Sequence, residues 1–436
     1  MIQTIDLRGL KPTRAELLAL VPRAHTDVAV ATEIASGLIA DVRARGEAAL
    51  VEQAERLDGV RPDRIRLDSS DIAAAVHTLL PEVRSALEES IDRVRQATKA
   101  QLPSPTVTTL GPGAEVVQRW RPVDRVGLYV PGGKAPLSSS VVMNAVPAQV
   151  AGVQSIALAS PAQKHFGGSI HPTILGAAGL LGIDEVYAMG GAGAIAAFAY
   201  GVPDIGLDPV QVITGPGNVY VAAAKRLVRG QVGIDAEAGP TEILIIADST
   251  ADPFLVASDL ISQAEHDELA AAVLVTDSVE LANSVQSELE RLAPQAQHSV
   301  RVGEALAGQQ SAVVLVDDRD AAIAFSNAYG AEHLEIQTVD PEAVLGLIEN
   351  AGAIFLGDNS PVSLGDYLAG SNHVLPTGGQ ARFSPGLGAY TFLRSQQVIR
   401  YDRQALAEVE AKIVALATAE DLPAHAAAVS ARFAPR

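Results

Sequence analysis

Residues 242–276 read EILIIADSTADPFLVASDLISQAEHDELAAAVLVT, and this stretch decides the fold. EILIIA and AAVLVT are short runs of Ile, Leu, Val and Ala, the pattern of strands buried on both faces. Between them, DPFLVASDLISQAEHDE reads as a helix, with Asp252 as N-cap and Pro253 at the first helical position. Strand, helix and strand in so short a span make a βαβ unit and imply a parallel sheet.

The same alternation extends both ways from there. From Val126 onward, VGLYV, SIALAS, EVYAM, VQVIT, AVVLV, LEIQT and AIFL read as strands among Ala-rich helical stretches. Gly/Pro-rich turns follow several strand ends, which is where open α/β sheets place ligands. Residues 28–100 read as helices, with apolar residues recurring at three- and four-residue spacing through TEIASGLIADVRARGEAALVEQAERL. Near Leu102 the character changes to a loop-like stretch marked by Pro103, Pro105, Gly111 and Pro112. After Thr377 the pattern loosens into GGQARFSPGLGAY, followed by helices starting near Asp402 and Leu422.

The bulk properties exclude several classes. The chain has 436 residues, of which 48% are hydrophobic and 19% charged, ample for two core-forming domains. Its formal net charge is −19, from 32 Lys plus Arg against 51 Asp plus Glu. A field of that sign repels phosphate backbones, so nucleic acid is a poor partner. No apolar run approaches membrane-spanning length. The N-terminus MIQTIDLRGLKPTRAEL carries charges where a signal peptide needs an apolar core, so a cytoplasmic protein is expected. Cysteine is absent, which removes thiolate metal sites and the thiol nucleophile of many aldehyde-oxidising enzymes.

Three glycine-rich turns are candidate cofactor contacts. Pro131-Gly132-Gly133-Lys134 is not a Walker A motif, because Leu128 and Ala135 stand where Gly and Ser or Thr are required. Gly191-Ala192-Gly193-Ala194-Ile195-Ala196 matches G-x-G-x-x-A between a strand and a helix, but a plain strand-to-helix turn explains it equally. Gly215-Pro216-Gly217-Asn218 follows VQVIT and alone reads as a turn. Three such turns on one sheet region raise the case for a nucleotide crevice.

The nine histidines are few enough to weigh. Gln263 and His266 are three apart on a helix and project from one face, although an exposed pair at a fraying helix end has the same spacing. Asp366 and His373 lie in GDYLAGSNHVLPT, whose glycines and proline argue for a loop, where binding residues concentrate. Glu332 and His333 are adjacent in AEHLEIQT. In an extended chain such neighbours point to opposite sides, yet they could serve one site as separate acid–base groups. Glu420 and His425 lie in AEDLPAHAAAV. Together these offer the N and O donors that zinc accepts without thiolate.

Seven segments taken together resemble the histidinol dehydrogenase family: VGLYVPGGKAPL, TGPGNVYVAAAKR, IDAEAGPTEILIIAD, DLISQAEHD, AEHLEIQ, GAIFLGDNSPVSLGDYLAGSNHVLPT and AEDLPAHAAAV. The resemblance spans nearly the whole chain. It implies an α/β fold of two Rossmann-like domains with parallel-rich sheets, one inserted in the other, with small N- and C-terminal helical appendages. The implied division is an N-terminal extension 1–27, a metal and catalytic domain 28–128 and 242–380, an inserted domain 129–241, and a C-terminal dimer-exchange appendage 381–436. It further implies two-step, NAD-linked oxidation of L-histidinol through L-histidinaldehyde to L-histidine, the last step of histidine biosynthesis, in a homodimer with shared sites.

The residue roles implied by the resemblance are these. Gln263, His266, Asp366 and His425 would ligate one Zn²⁺ per subunit, with His425 supplied by the partner subunit. Glu332 and His333 would be the acid–base pair. His373, Thr241 and Glu420 would contact substrate alongside the metal ligands and His333. Tyr129, Gly193 and Asn218 would face the cofactor. Gly193 departs from the family, which typically has Gln there, and Thr241 stands where Ser is also common. A zinc hydrolase using Glu332 as base would not need the glycine-rich turns. An imidazole-binding sensor would need no base.

Overall fold

The computed structural model describes residues 2–24, 28–132, 135–237 and 239–435. In chain order its strands are β1 (Gln3–Asp6), β2 (Thr106–Gly111), β3 (Ala114–Pro122), β4 (Arg125–Tyr129), β5 (Ser155–Ser160), β6 (Glu185–Ala188) and β7 (Val212–Thr214). They continue as β8 (Gly233–Ile234), β9 (Glu242–Ala247), β10 (Ala271–Thr276), β11 (Ala312–Leu315), β12 (Ala331–Gln337), β13 (Ala351–Leu356) and β14 (Leu393–Tyr401). The chain divides into two compact units, Met1–Gln101 with Asp124–Phe392, and Leu102–Val123 with Leu393–Arg436.

The first unit holds two wholly parallel sheets, as the sequence leads one to expect. One runs β1-β11-β10-β9-β12-β13 and the other β6-β5-β4-β7-β8. In the six-stranded sheet, Ile243 and Ile245 of β9 join the core formed with Val256, Leu260 and Val285. Their neighbours Leu244 and Ile246 join the opposite core with Phe325, Tyr329 and Leu334. Burial on both faces is why these strands read as continuous apolar runs rather than as alternation.

The five-stranded sheet buries Tyr129, Ala157, Ala159, Tyr187 and Ile213 against helices that include Val28–Arg45, Gly191–Tyr200 and Val219–Val228. The 28–45 and 47–53 helices, grouped by sequence with residues 242–380, therefore pack on this sheet. The N-terminal segment carries the Arg14–Leu20 helix and, before it, a strand. Its residues Gln3–Asp6 pair in parallel with β11 as the edge strand of the six-stranded sheet.

The second unit is a three-stranded antiparallel sheet, β14-β3-β2, with the helices Arg403–Ala419 and Pro423–Ser430. The expectation of a loop-like stretch near Leu102 is thus corrected at residues 106–111, and the C-terminal appendage is not purely helical. Its strands carry polar, exposed residues such as Gln396, Gln397 and Arg400, so no apolar run announces them. Asp402 caps the first of its helices by accepting from Ala405 N at 2.8 Å. Among the described residues, no helix is long and apolar enough to cross a membrane.

Candidate active site

The Pro253–Ala264 helix starts at Asp252, whose carboxylate accepts the N–H of Phe254 at 2.8 Å. Its far end delivers Gln263, which is buried, and His266 just beyond the last turn. Glu332 and His333 occupy the second and third positions of β12, where His333 is level with Ile243 of β9. Thr241 immediately precedes β9. Thr241, Glu332 and His333 thus sit at the amino ends of β9 and β12, whereas the glycine-rich turns follow the carboxyl ends of β4, β6 and β7.

One hydroxyl joins the first three of these groups. Gln263 Nε2 donates to Thr241 Oγ1 at 2.7 Å, and Thr241 Oγ1 donates to Glu332 Oε2 at 2.5 Å. The same carboxylate oxygen accepts the N–H of Glu242 at 2.9 Å and lies 3.7 Å from His333 Nδ1. Adjacency on a strand therefore has not separated Glu332 from His333. His266 Nε2 is 3.9 Å from Asp366 Oδ2, and His373 Nδ1 is 3.6 Å from Asp366 Oδ1. His373 Nε2 is 3.4 Å from Ser140 Oγ on the Ser138–Ala151 helix, and Asn372 Nδ2 donates to the Met143 carbonyl at 2.6 Å. The 373 loop is thereby pinned to the helix layer of the five-stranded sheet.

Burial sets the protonation states. It pushes the Glu332 carboxyl up to about 7, against the opposing hydrogen bonds from Thr241 and the Glu242 N–H. Burial also pushes the His333 imidazole down to about 4, so that ring is neutral at pH 7. Asp366 is pushed up by burial, but its hydrogen bond to His373 and the nearby His333, His373 and His266 outweigh this and hold it below the usual carboxylate range. The result is a carboxyl poised near neutrality beside a neutral imidazole, the pairing that proton transfer requires.

The residues present fit a metal ion in part. Gln263 Oε1 is buried without a hydrogen-bond partner, which is costly unless something else meets it. His266 Nδ1 is 3.2 Å from the Ser262 carbonyl, an arrangement that fixes the ring and leaves Nε2 facing Asp366. One amide oxygen, one imidazole nitrogen and one carboxylate form a borderline-hard donor set suited to zinc. Among the described residues, no three His, Asp or Glu side chains converge tightly enough to hold a metal by themselves, so a further donor is required. Glu420 and His425 belong to the second unit, at the end of the Arg403–Ala419 helix and on the Pro423–Ser430 helix.

The three cofactor candidates lie on the five-stranded sheet. Tyr129 ends β4, is buried, and its hydroxyl accepts the N–H of Gly191 at 3.2 Å. Asn218 caps the Val219–Val228 helix, with Oδ1 accepting from Tyr220 N and Val221 N at 3.1 Å each. Gly193 lies in the first turn of the Gly191–Tyr200 helix, where a Cβ would stand 2.5 Å from Gln53 Oε1. That position therefore faces the Glu47–Gln53 helix. Gly215 has φ +119° and a Cβ there would collide with the Tyr129 carbonyl oxygen, so the turn after β7 needs glycine. Gly133 and Lys134 lie outside the described residues.

The sequence signals one further group. Glu335 and Gln337 are polar residues inside the apolar run LEIQ, and both are buried. A buried polar residue in a two-face-buried strand must have a partner, and sequence alone cannot name it.

A family model described as histidinol dehydrogenase matches residues 21–433. A histidinol dehydrogenase of Leifsonia xyli subsp. xyli is 69% identical over 435 residues, covering 100% of both chains. One of Thermobifida fusca is 58% identical and covers 99% of this chain and 98% of its own. The crystal structure of histidinol dehydrogenase from Elizabethkingia anophelis superposes with a TM-score of 0.92 at 33% identity, covering 99% of this chain and 98% of that one.

Proposed function

Because this chain belongs to the histidinol dehydrogenase family, we propose that it oxidises L-histidinol through L-histidinaldehyde to L-histidine at the Thr241–Glu332–His333 cluster. The observation that carries this reading is the buried Glu332 carboxyl, poised near neutrality beside a neutral His333. NAD would accept the hydride in each step, and Tyr129, Asn218 and the turn at Gly193 are the residues assigned to hold it. Zinc would be held by Gln263, His266 and Asp366, with His425 of the partner subunit as fourth donor, and would supply Lewis-acid polarisation of the substrate oxygen.

In the first step, His333 takes the alcohol proton as the carbon loses hydride, giving the aldehyde. In the second, Glu332 takes a proton from water as the water oxygen adds to the aldehyde carbon, and His333 returns the proton it took in the first step to the carbonyl oxygen, giving the gem-diol. Loss of a second hydride to the second NAD, with one hydroxyl proton passing to His333, gives the acid. A base rather than a thiol activates the aldehyde step, in keeping with a chain that has no cysteine. His373, Thr241 and Glu420 are assigned to substrate contact. A homodimer with exchanged C-terminal units, a cytoplasmic setting, a place in histidine biosynthesis and a domain division at 129–241 belong to the same proposal.

The half-reactions test it separately. Glu332→Gln should lose aldehyde oxidation by about 10²-fold or more, while alcohol oxidation, followed with the aldehyde trapped, falls far less. Equal loss in both halves would refute the water-activating role.

A further inference from the structure

Glu335 follows His333 by two positions on β12 and is 1% exposed. Its Oε1 accepts the N–H of Val362, the first residue of the Val362–Tyr367 helix, at 3.0 Å. Its Oε2 accepts from Gln337 Nε2 at 3.0 Å, and the same amide reaches Asp259 Oδ2 at 3.3 Å. Asp259 lies on the Pro253–Ala264 helix, and the two carboxyl groups are hydrogen-bonded to each other. Such a pair needs one proton between the two groups, because the buried Glu335 and the half-buried Asp259 would repel if both were ionised. Burial and the neighbouring Asp259 push Glu335 up to about 8, which keeps that proton in place at neutral pH. The groups acting on Glu335 are Asp259 from the helix, the neutral Gln337 from its own strand and the backbone N–H of Val362.

Each of the three elements meeting here carries part of the candidate site. Gln263 follows Asp259 by one helical turn and so lies on the same face. Asp366 follows Val362 by the same interval, and β12 itself carries Glu332 and His333. The mechanism uses neither Asp259 nor Glu335. We propose that the proton-sharing Asp259–Glu335 pair is a positioning device that fixes these three elements against one another and so sets the spacing of Gln263, His266 and Asp366 as metal ligands. The inference rests on the zinc reading given above. Asp259 and Glu335 act through the ligands their elements carry.

The test is zinc affinity of the full chain, measured by chelator competition at neutral pH and near pH 9.5, with circular dichroism as a folding control. Glu335→Gln keeps an acceptor for Val362 and a donor for Asp259 without a titratable proton, and the Gln337 amide, whose Oε1 has no partner, can turn to accept from the new NH2, so the variant should bind zinc within about threefold of wild type at neutral pH. Glu335→Leu removes both bonds and should bind at least about tenfold more weakly. Toward pH 9.5 the wild type should lose about tenfold in affinity relative to Glu335→Gln, because only the wild-type pair loses its proton. Wild-type affinity in Glu335→Leu, or matching pH profiles for wild type and Glu335→Gln, would overturn the inference. Should Glu335→Leu not fold, the pH comparison decides. A wild type that binds no zinc would overturn the metal reading first, a failure visible before any variant is compared.

Discussion

Gln263 Nε2 donates to Thr241 Oγ1 at 2.7 Å, and this contact determines which end of the Gln263 amide is left over. The nitrogen is engaged, so the buried Oε1 is the atom without a partner, and oxygen is the end a metal ion would take. Having accepted from Gln263, the Thr241 hydroxyl donates its own proton to Glu332 Oε2 at 2.5 Å. One hydroxyl therefore orients both the amide assigned to the metal and the carboxyl assigned as the base.

Thr241→Val keeps the shape and removes the hydroxyl. Zinc affinity measured by chelator competition should fall about tenfold, and Thr241→Ser should restore it. Affinity unchanged in Thr241→Val would mean that Gln263 is oriented by something else.

Glu332 should make the metal-free protein less stable as pH rises. Its carboxyl titrates near 7 in the fold against a reference of 4.5, so the folded state binds this proton more tightly than the unfolded chain. The penalty is absent below the reference value, grows as pH rises from there to 7, and is complete above it, on the order of 3 kcal/mol. Glu332→Gln should therefore raise the urea midpoint of metal-free protein near pH 8 and lose that advantage near pH 4. A pH-independent difference would show that the buried charge is not its source.

The turn after β7 rests on a buried ion pair. Lys225 is 1% exposed, pairs with Asp235 and donates to the Gly215 carbonyl at 3.0 Å, while Asp235 accepts the Gly215 N–H at 2.8 Å. Lys225→Met strands Asp235 without its partner and should cost about 3–5 kcal/mol in urea unfolding. Adding Asp235→Asn should recover part of that loss. A loss under about 1 kcal/mol would show that the turn does not depend on the pair.

Shared sites predict complementation. Mixed His425→Ala and Gln263→Ala proteins, under conditions of verified subunit exchange, should regain activity, since a hybrid can contain one intact site. Verified exchange with no recovery would contradict the role of His425 from the partner.

What the sequence made legible follows from how each element is stabilised. EILIIA and AAVLVT are strands because both faces are buried, and burial leaves an apolar signature that needs no partner to be read. The β2, β3 and β14 sheet has no such signature, because Arg, Gln and Thr line its exposed positions and pairing alone makes it a sheet. β1 is hidden differently: four residues between Ile2 and Leu7, too short to show a period, become a strand only through β11. In the site, the Gln263–His266 spacing could be read locally from helical geometry. The approach of Asp366 to both His266 and His373, and of Asp259 to Glu335, exists only once distant segments fold together. Adjacency of Glu332 and His333 argued for separation across the strand, yet their side chains come within 3.7 Å.

The most direct test of the account is NADH formed per L-histidinol consumed by zinc-loaded protein, repeated after chelation and after zinc is restored. Two NADH should form per histidinol, with turnover lost on chelation and recovered with zinc. One NADH per histidinol, or turnover indifferent to the metal, would contradict a zinc-dependent oxidation carried through the aldehyde at this site.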